Sequence, residues 1–307
     1  MSEPRRSIGT FSPERRNRSE VRRRLAARVV VAALIVASPT AAGGADDADL
    51  RRLLDRTGKF VVEFQRGFRE VLSTEHYQQT VRRSAARGMR TRQIDSEMFF
   101  TAVDGDRSWM TIRNVQKVDG TRVPGSHDRV MELLTSTRTE RTEALRKLAI
   151  EGARFNIGNV GRTFNDPTLA LMFFAPVMQP RFQFVADGAE RIDGVQTYRI
   201  RFTETAKPSV IRDERDDLDT AVSGLVHVTA DGRIARSELV VTIGSRVSGR
   251  IRVRYRRIDD VDMIVPVTME EDYRNDDGPG RGMTLISCTA KYSDYARFQT
   301  SVRILPR

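Results

Sequence analysis

The chain has 307 residues, 39% hydrophobic and 30% charged, a composition typical of a globular protein rather than an integral membrane protein. Its net charge of +11 could suit a nucleic-acid-binding protein, but residues 1–42 hold nine arginines and three glutamates and so account for +6 of it. The remaining excess is small and spread over many predicted strands, so we expect no nucleic-acid partner.

The N-terminus has the order of residues found in secretory signals. A polar, basic segment precedes an apolar run of ten residues at 29–38, and small residues follow, with Thr40 and Ala42 at the spacing of a cleavage site. This order predicts a Sec-type signal peptide over residues 1–42, cleaved after Ala42 or alternatively after Ala45. The mature chain is then periplasmic or secreted. A helix that spans a membrane needs about 20 apolar residues, so retention of the run as an anchor is the alternative.

The mature chain begins with a predicted helix. Apolar residues recur at three- and four-residue steps over residues 47–72, where Phe64, Phe68 and Val71 widen the apolar stripe. A stripe of this width predicts that the helix covers a sheet. Strands follow over residues 77–118, and Asp-Gly pairs mark their turns.

Between about residues 124 and 180 the pattern predicts a helical insertion. The spans 129–135 and 140–151 are predicted helices, and a third, short helix is predicted to begin at Pro167. It leads into Phe173 and Phe174, in the most apolar run of the mature chain. We expect this run to be core, or a plug or lid over a cavity.

After Pro180 the chain is predicted to be nearly all strand. The clearest stretch, residues 249–273, has apolar residues alternating with arginines and, after a turn, a second alternation. About ten strands, mostly joined by tight turns, predict a curved antiparallel sheet in an α+β fold. We expect an open half-barrel whose concave face is covered by the N-terminal helix and the insertion, forming one domain over residues 43–307.

Several strings near the C-terminus resemble a known group of proteins. They are SGLVHVTADGRIARSELVV, RIRVRYRRID, IVPVTMEEDY and AKYSDYARF, preceded by the leading helix and the interrupted sheet. Together they resemble the periplasmic lipoprotein carriers, the group of LolA, LolB and the N-terminal domain of RseB, and secreted proteins of soil bacteria. The resemblance covers most of residues 46–305 and implies a half-barrel whose apolar cavity, closed by helices, holds acyl chains. No ligand-contacting residue of the group can be matched to this sequence.

The residues with chemical potential form no recognisable catalytic or metal-binding pattern. His76, His127 and His227 match no metal-ligand spacing, so we expect no metal, no cofactor and no enzyme activity. Cys288, the only cysteine, falls on an apolar strand face and is predicted to be a small buried hydrophobe. Glu271 also falls on an apolar face. We expect it to pair with an inward arginine or to lie at the rim of the sheet, and a carboxylate inside a cavity is the alternative.

These observations predict a non-enzymatic exported envelope protein that binds a hydrophobic ligand, such as a lipid or the acyl chain of a lipoprotein. The residues proposed to line its cavity, for which ordinary core is the alternative role, are Phe64, Phe68, Phe173, Phe174, Tyr198, Ile200, Phe202, Val253 and Tyr255. The alternative function is a protein–protein interaction or sensor module with a filled core. It would dock on an acidic partner or lipid head groups through Arg250, Arg252 and Arg254, which otherwise form an ordinary solvent face. In both cases we expect a monomer with no membrane span after signal cleavage.

Overall fold

The computed structural model describes residues 43–297, with gaps at 70, 85–87, 104–107, 127, 129–146, 149, 159, 161, 163, 214–217 and 244–246. These residues belong to one compact unit, Ala42–Arg307. The predicted signal peptide, the predicted helix at 129–135, most of the one at 140–151 and the strand expected after residue 297 lie outside the described residues.

One large sheet dominates the described part of the chain. The helices with described bounds are α1 (Gly43–Phe68) and the single turn α2 (Leu169–Met172). Two 3-10 turns lie at Gln179–Arg181 and Asp259–Val261. The strands are β1 (Val71–Arg83), β2 (Met89–Val103), β3 (Ser108–Val118), β4 (Thr121–Arg122), β5 (Phe182–Ile192), β6 (Val195–Glu204), β7 (Arg212–Asp213), β8 (Leu218–Asp219), β9 (Ala221–Thr229), β10 (Ile234–Ile243), β11 (Val247–Ile258), β12 (Met263–Asp276) and β13 (Met283–Arg297).

The main sheet has 11 antiparallel strands in the order β4-β3-β2-β1-β13-β12-β11-β10-β9-β6-β5, and β7 pairs with β8 separately. It is an open sheet with β4 and β5 at its edges, so the predicted α+β half-barrel architecture is confirmed. The C-terminal strand β13 lies between β1 and β12 and therefore joins the first four strands to the rest.

The predicted alternation of side chains sets the two faces of the sheet. Tight turns hold the hairpins in register, as at Asp193 and Gly194 between β5 and β6, where both residues have positive φ. Apolar side chains on the concave face form one core with α1 and with residues 155–182 of the insertion. Helix α1 contacts β5 and β12, and Phe68 near its end packs against Phe100 of β2.

Several predicted boundaries are wrong. Helix α1 ends at Phe68 rather than at residue 72, because Val71 begins the pairing of β1 with β13. The basic, glycine-containing segment 82–92, typical of a loop or hairpin connection, does join β1 to β2, but only five of its residues lie outside the strands. Asp187 and Gly188, a pair typical of a turn, form an irregularity inside β5. A similar irregularity between β11 and β12 buries Pro266 on the concave side and leaves Val267 half-buried.

Candidate functional site

A half-open cavity of about 660 Å³ lies between the first turns of α1 and strands β5 and β6. Apolar side chains cover most of its inner wall, and three charged residues lie among its lining. The apolar residues are Leu50, Leu53, Ala186, Ala189, Tyr198, Ile200 and Ala230, and the charged ones are Asp49, Arg56 and Arg199.

The cavity exists because the residues of β5 that line it have small side chains. Ala186 and Ala189 flank the irregularity at Gly188, whose φ is +85°, a backbone conformation that glycine adopts without strain. Helix α1 carries leucines in this region. Further along, it carries Phe64 and Phe68, whose tilted rings, with centroids 4.5 Å apart, fill the space over the sheet. The cavity is therefore confined to the N-terminal half of the helix.

Two of the nine residues proposed to line a cavity, Tyr198 and Ile200, do line this one. Ile200 is buried at the bottom, and Tyr198 is 42% exposed. They are neighbours on the concave face of β6, opposite Ala189 and Ala186.

The other seven proposed lining residues are buried in the core. Rings of the insertion fill the space over β6, with the centroid of Phe174 lying 5.5 Å from that of Phe202. Tyr255 donates a hydrogen bond of 2.8 Å from its hydroxyl to the backbone oxygen of Pro167. The buried residues are Phe64, Phe68, Phe173, Phe174, Phe202, Val253 and Tyr255.

Sequence reasoning missed the alanines of β5 and the leucines of α1 as cavity residues. Leu50 and Leu53 belong to the apolar stripe of the predicted helix, and only their smaller size than the later phenylalanines indicates space beside them. Ala186 and Ala189 give no sign of a cavity, because they flank an Asp-Gly pair that is typical of a turn.

A second group of polar residues is buried where the insertion meets β1 and β13. The guanidinium of Arg162 donates to the hydroxyl of Tyr77 at 3.2 Å, to Cys288 Sγ at 2.7 Å, to Gln79 Oε1 at 2.5 Å and to the Ile157 carbonyl at 2.9 Å. Arg162 is 1% exposed. This residue was not singled out from the sequence, because its partners lie more than 80 positions away along the chain, except Ile157.

Glu271 lies next to this group. It is 1% exposed, so the expected position at the rim of the sheet is wrong. Its Oε2 accepts a hydrogen bond of 2.5 Å from the hydroxyl of Tyr273, and among the described residues it forms no ion pair. Burial, together with the charge of Glu271, raises the pKa of the Cys288 thiol to about 11. Cys288 is therefore a protonated, buried side chain at neutral pH, as expected for a structural cysteine.

A separate buried ion pair joins β1 to β3. Arg113 donates from Nη2 to Glu75 Oε1 at 2.8 Å and from Nε to Glu75 Oε2 at 2.5 Å, and Tyr292 donates to the same carboxylate at 3.1 Å. Both carboxylate oxygens of Glu75 therefore accept hydrogen bonds, as a buried charge requires.

On the exposed face, each of these arginines of β11 has an acidic side chain beside it. The closest atoms of Arg252 and Asp272 are 2.8 Å apart, those of Arg254 and Asp193 3.2 Å, and those of Arg250 and Glu238 3.6 Å. These cross-strand pairs neutralise much of the positive charge that the sequence suggested for a docking face.

The described residues contain no cluster of three or more His, Cys, Asp or Glu side chains arranged to hold a metal ion. Among the same residues, no helix combines the length and the apolar character needed to cross a membrane.

No protein-family model matches the chain, and a comparison with curated proteins gives no match either. A DUF1329 family protein from Desulfovibrio piger is 11% identical, with a TM-score of 0.36, and the match covers 82% of this chain and 95% of that one. A domain from Vibrio parahaemolyticus, described as an outer membrane lipoprotein-sorting protein domain, is 13% identical, with a TM-score of 0.36 and coverage of 80% and 94%.

A LolA superfamily protein from Nitrosomonas europaea is 10% identical, with a TM-score of 0.31, and the match covers 84% of this chain and 97% of that one. A protein of the group that the sequence resembles is thus among the matched structures. Likeness at TM-scores this low carries over no ligand and no residue role.

Proposed function

We propose that this protein is an exported binding protein that holds one hydrophobic chain in the cavity between α1 and strands β5 and β6. The observation that carries the proposal is the cavity itself, about 660 Å³ in volume and lined mainly by apolar side chains. Ligand sites of proteins typically have volumes of about 300 to 1,000 Å³, mostly apolar walls and a few polar groups. A single acyl chain of a lipid or lipoprotein fits this description.

Burial of the chain supplies the binding energy without any catalytic group. Each methylene removed from water contributes about 0.8 kcal/mol, so about ten methylenes contribute about 8 kcal/mol before the cost of association. Leu50, Leu53 and Ile200 provide the apolar contacts, and Tyr198 closes over the chain at the exposed side. The remaining seven proposed lining residues are packed in the core behind this wall. In this structure they would not contact the ligand.

The cavity favours ligand binding over the alternative of an interaction module. Such a module needs an unpaired basic face, whereas Arg250, Arg252 and Arg254 each have an acidic neighbour. Export is the other part of the proposal, and it depends on the signal peptide that the sequence predicts. The exported protein is expected to begin at Gly43, which N-terminal sequencing of the secreted or periplasmic form would check.

The binding proposal is tested by filling the cavity. In Ala186→Trp, the indole would occupy the space beside Ile200, so displacement of a dansyl-labelled fatty acid should show an affinity at least about ten-fold weaker than wild type. The matched control is Val185→Trp, because Val185 is 49% exposed and lies on the other face of the same strand. Unaltered binding by Ala186→Trp, with the fold intact by circular dichroism, would refute this location for the ligand.

A further inference from the structure

We infer that the ligand of this cavity carries an anionic head group, a carboxylate or a phosphate on a single alkyl chain, and that Arg56 holds this group at the mouth. The inference rests on the proposed binding function and adds the chemical class of the ligand. It follows from the charges that surround an otherwise apolar site.

Positive charge exceeds negative charge around the mouth. Asp49 is paired with Arg52 one turn along α1. On β6, Arg199 alternates with Tyr198 and Ile200, so its side chain lies on the other face of the sheet, where it pairs with Asp187 at 3.0 Å. These two ion pairs offset the charges of Asp49 and Arg199.

Arg56 adds a further positive charge on the helix side of the mouth. It lines the cavity, its side chain is exposed, and it forms no ion pair with any residue that the structure describes. Of the three charged residues that line the cavity, Arg56 is therefore the one whose charge no ion pair among the described residues offsets, which leaves a net charge of +1 at the opening.

The backbone of Arg56 is fixed by the turn between β9 and β10. Gly232 of that turn has φ of +92°, and a Cβ at this position would lie 2.8 Å from the Cβ of Arg56 and closer still to its backbone carbonyl carbon. This contact keeps the start of the arginine side chain in place, while the guanidinium reaches into solvent. Nearby, Asp231 and Arg233 pair with each other at 3.1 Å and add no net charge.

A guanidinium matches the oxygens of a carboxylate or phosphate with two parallel hydrogen bonds, so arginine is suited to both head groups. A neutral alcohol gains less at this position, and a cationic head group is repelled. The geometry therefore predicts a head-group preference that is independent of the apolar wall.

The test compares dodecanoate, dodecyl phosphate, dodecanol and dodecyltrimethylammonium by isothermal titration calorimetry with the full exported protein. We expect at least one anionic probe to bind about ten-fold more tightly than dodecanol, with the cationic probe weakest. In Arg56→Gln the preference for the anionic probe over dodecanol should fall to about two- or three-fold. Arg233→Gln is the matched control and should retain the wild-type preference, because its partner Asp231 already neutralises it.

The outcomes separate this inference from the function on which it rests. Equal affinity for dodecanol and both anionic probes, or an unchanged preference in Arg56→Gln, would overturn the head-group inference while binding itself stands. Failure of all four probes to bind the wild-type protein would overturn the proposed function. Loss of the preference at raised ionic strength would support the electrostatic origin, since exposed charges are screened by salt.

Discussion

Arg162 is the largest fully buried side chain of the described residues, and its position needs an explanation in terms of energy. Removing a guanidinium from water costs several kcal/mol unless hydrogen bonds and opposite charge replace the solvent. Here both terminal nitrogens donate to protein groups, and the carboxylate of Glu271 lies nearby on β12. Because Gln79 also accepts from the backbone N–H of Ile157, the polar group attaches the insertion to the centre of the sheet.

We expect Arg162→Met to lower the free energy of unfolding by about 3 kcal/mol, measured by urea denaturation. Methionine fills much of the volume but removes one of the two donors to Gln79 Oε1, leaves the Ile157 carbonyl without its side-chain donor and leaves Glu271 without the nearby positive charge. The control is Arg154→Met in the same segment, because Arg154 is an exposed arginine that pairs with Glu151 and lies over the ring of Phe155, and its loss should change stability by less than about 1 kcal/mol. Similar small effects for both variants would show that the buried arginine contributes no net stability.

At the scale of secondary-structure elements, one glycine lets β6, β9 and β10 pack closely. The ring of Phe202 on β6 lies over Gly224, its direct partner on β9, and also contacts Phe173 and Phe174 of the insertion. A Cβ at residue 224 would clash with that ring and with the Glu238 carbonyl oxygen. The aromatic core between the insertion and the sheet therefore depends on the absence of a side chain at this position.

Gly224→Ala should consequently destabilise the protein by about 2 to 3 kcal/mol, although alanine normally suits a strand better than glycine does. Thermal and urea unfolding would measure the change. Ser223→Ala, on the opposite face of the same strand, serves as the comparison and should have little effect. An equal or higher stability of Gly224→Ala would mean that Phe202 can move away without loss.

The period-two alternation explains why the strand content could be predicted from the sequence. Ile251 and Val253 are buried as expected, and Asp193-Gly194 forms the expected turn. The ends of elements that depend on pairing with distant strands could not be predicted. Val71, for example, continues the apolar stripe of the helix but pairs with β13 as a strand residue. The same limit applies to the candidate site. Its volume depends on which residues of β5 and α1 oppose each other, and a local pattern contains no such information.

At the scale of the whole molecule, strand β13 holds the two parts of the sheet together. It pairs with β1 from Thr284 to Arg297 and with β12 from Met283 to Lys291, so the first four strands are joined to the later ones by the last strand that the structure describes. Three of its buried side chains, Cys288, Tyr292 and Tyr295, can lose a proton at high pH. Ionisation on this strand should therefore disturb the whole sheet rather than one end of it.

Burial raises the pKa of all these groups, and that of three further tyrosines on the neighbouring strands, above their ordinary values. The six groups are Tyr77, Tyr255, Tyr273, Cys288, Tyr292 and Tyr295. An acid with a higher pKa in the folded state keeps its proton while the unfolded chain releases it. Their contribution to stability is therefore present below the unfolded pKa values and is lost as pH rises, first for Cys288 and then for the phenols.

We predict that the free energy of unfolding falls steadily above about pH 9. The pKa of Cys288 rises from 9.0 in the unfolded chain to about 11 in the folded protein, so this thiol alone should account for a loss of about 2 kcal/mol by about pH 11. Urea denaturation followed by circular dichroism between about pH 8 and about pH 11 would measure the trend. In Cys288→Ala, the decline should be shallower throughout the range from about pH 9 to about pH 11, because only the phenols then contribute to it. A stability that stays level through this range would mean that the thiol and the phenols reach solvent in the folded state, contrary to their positions beneath the insertion and α1.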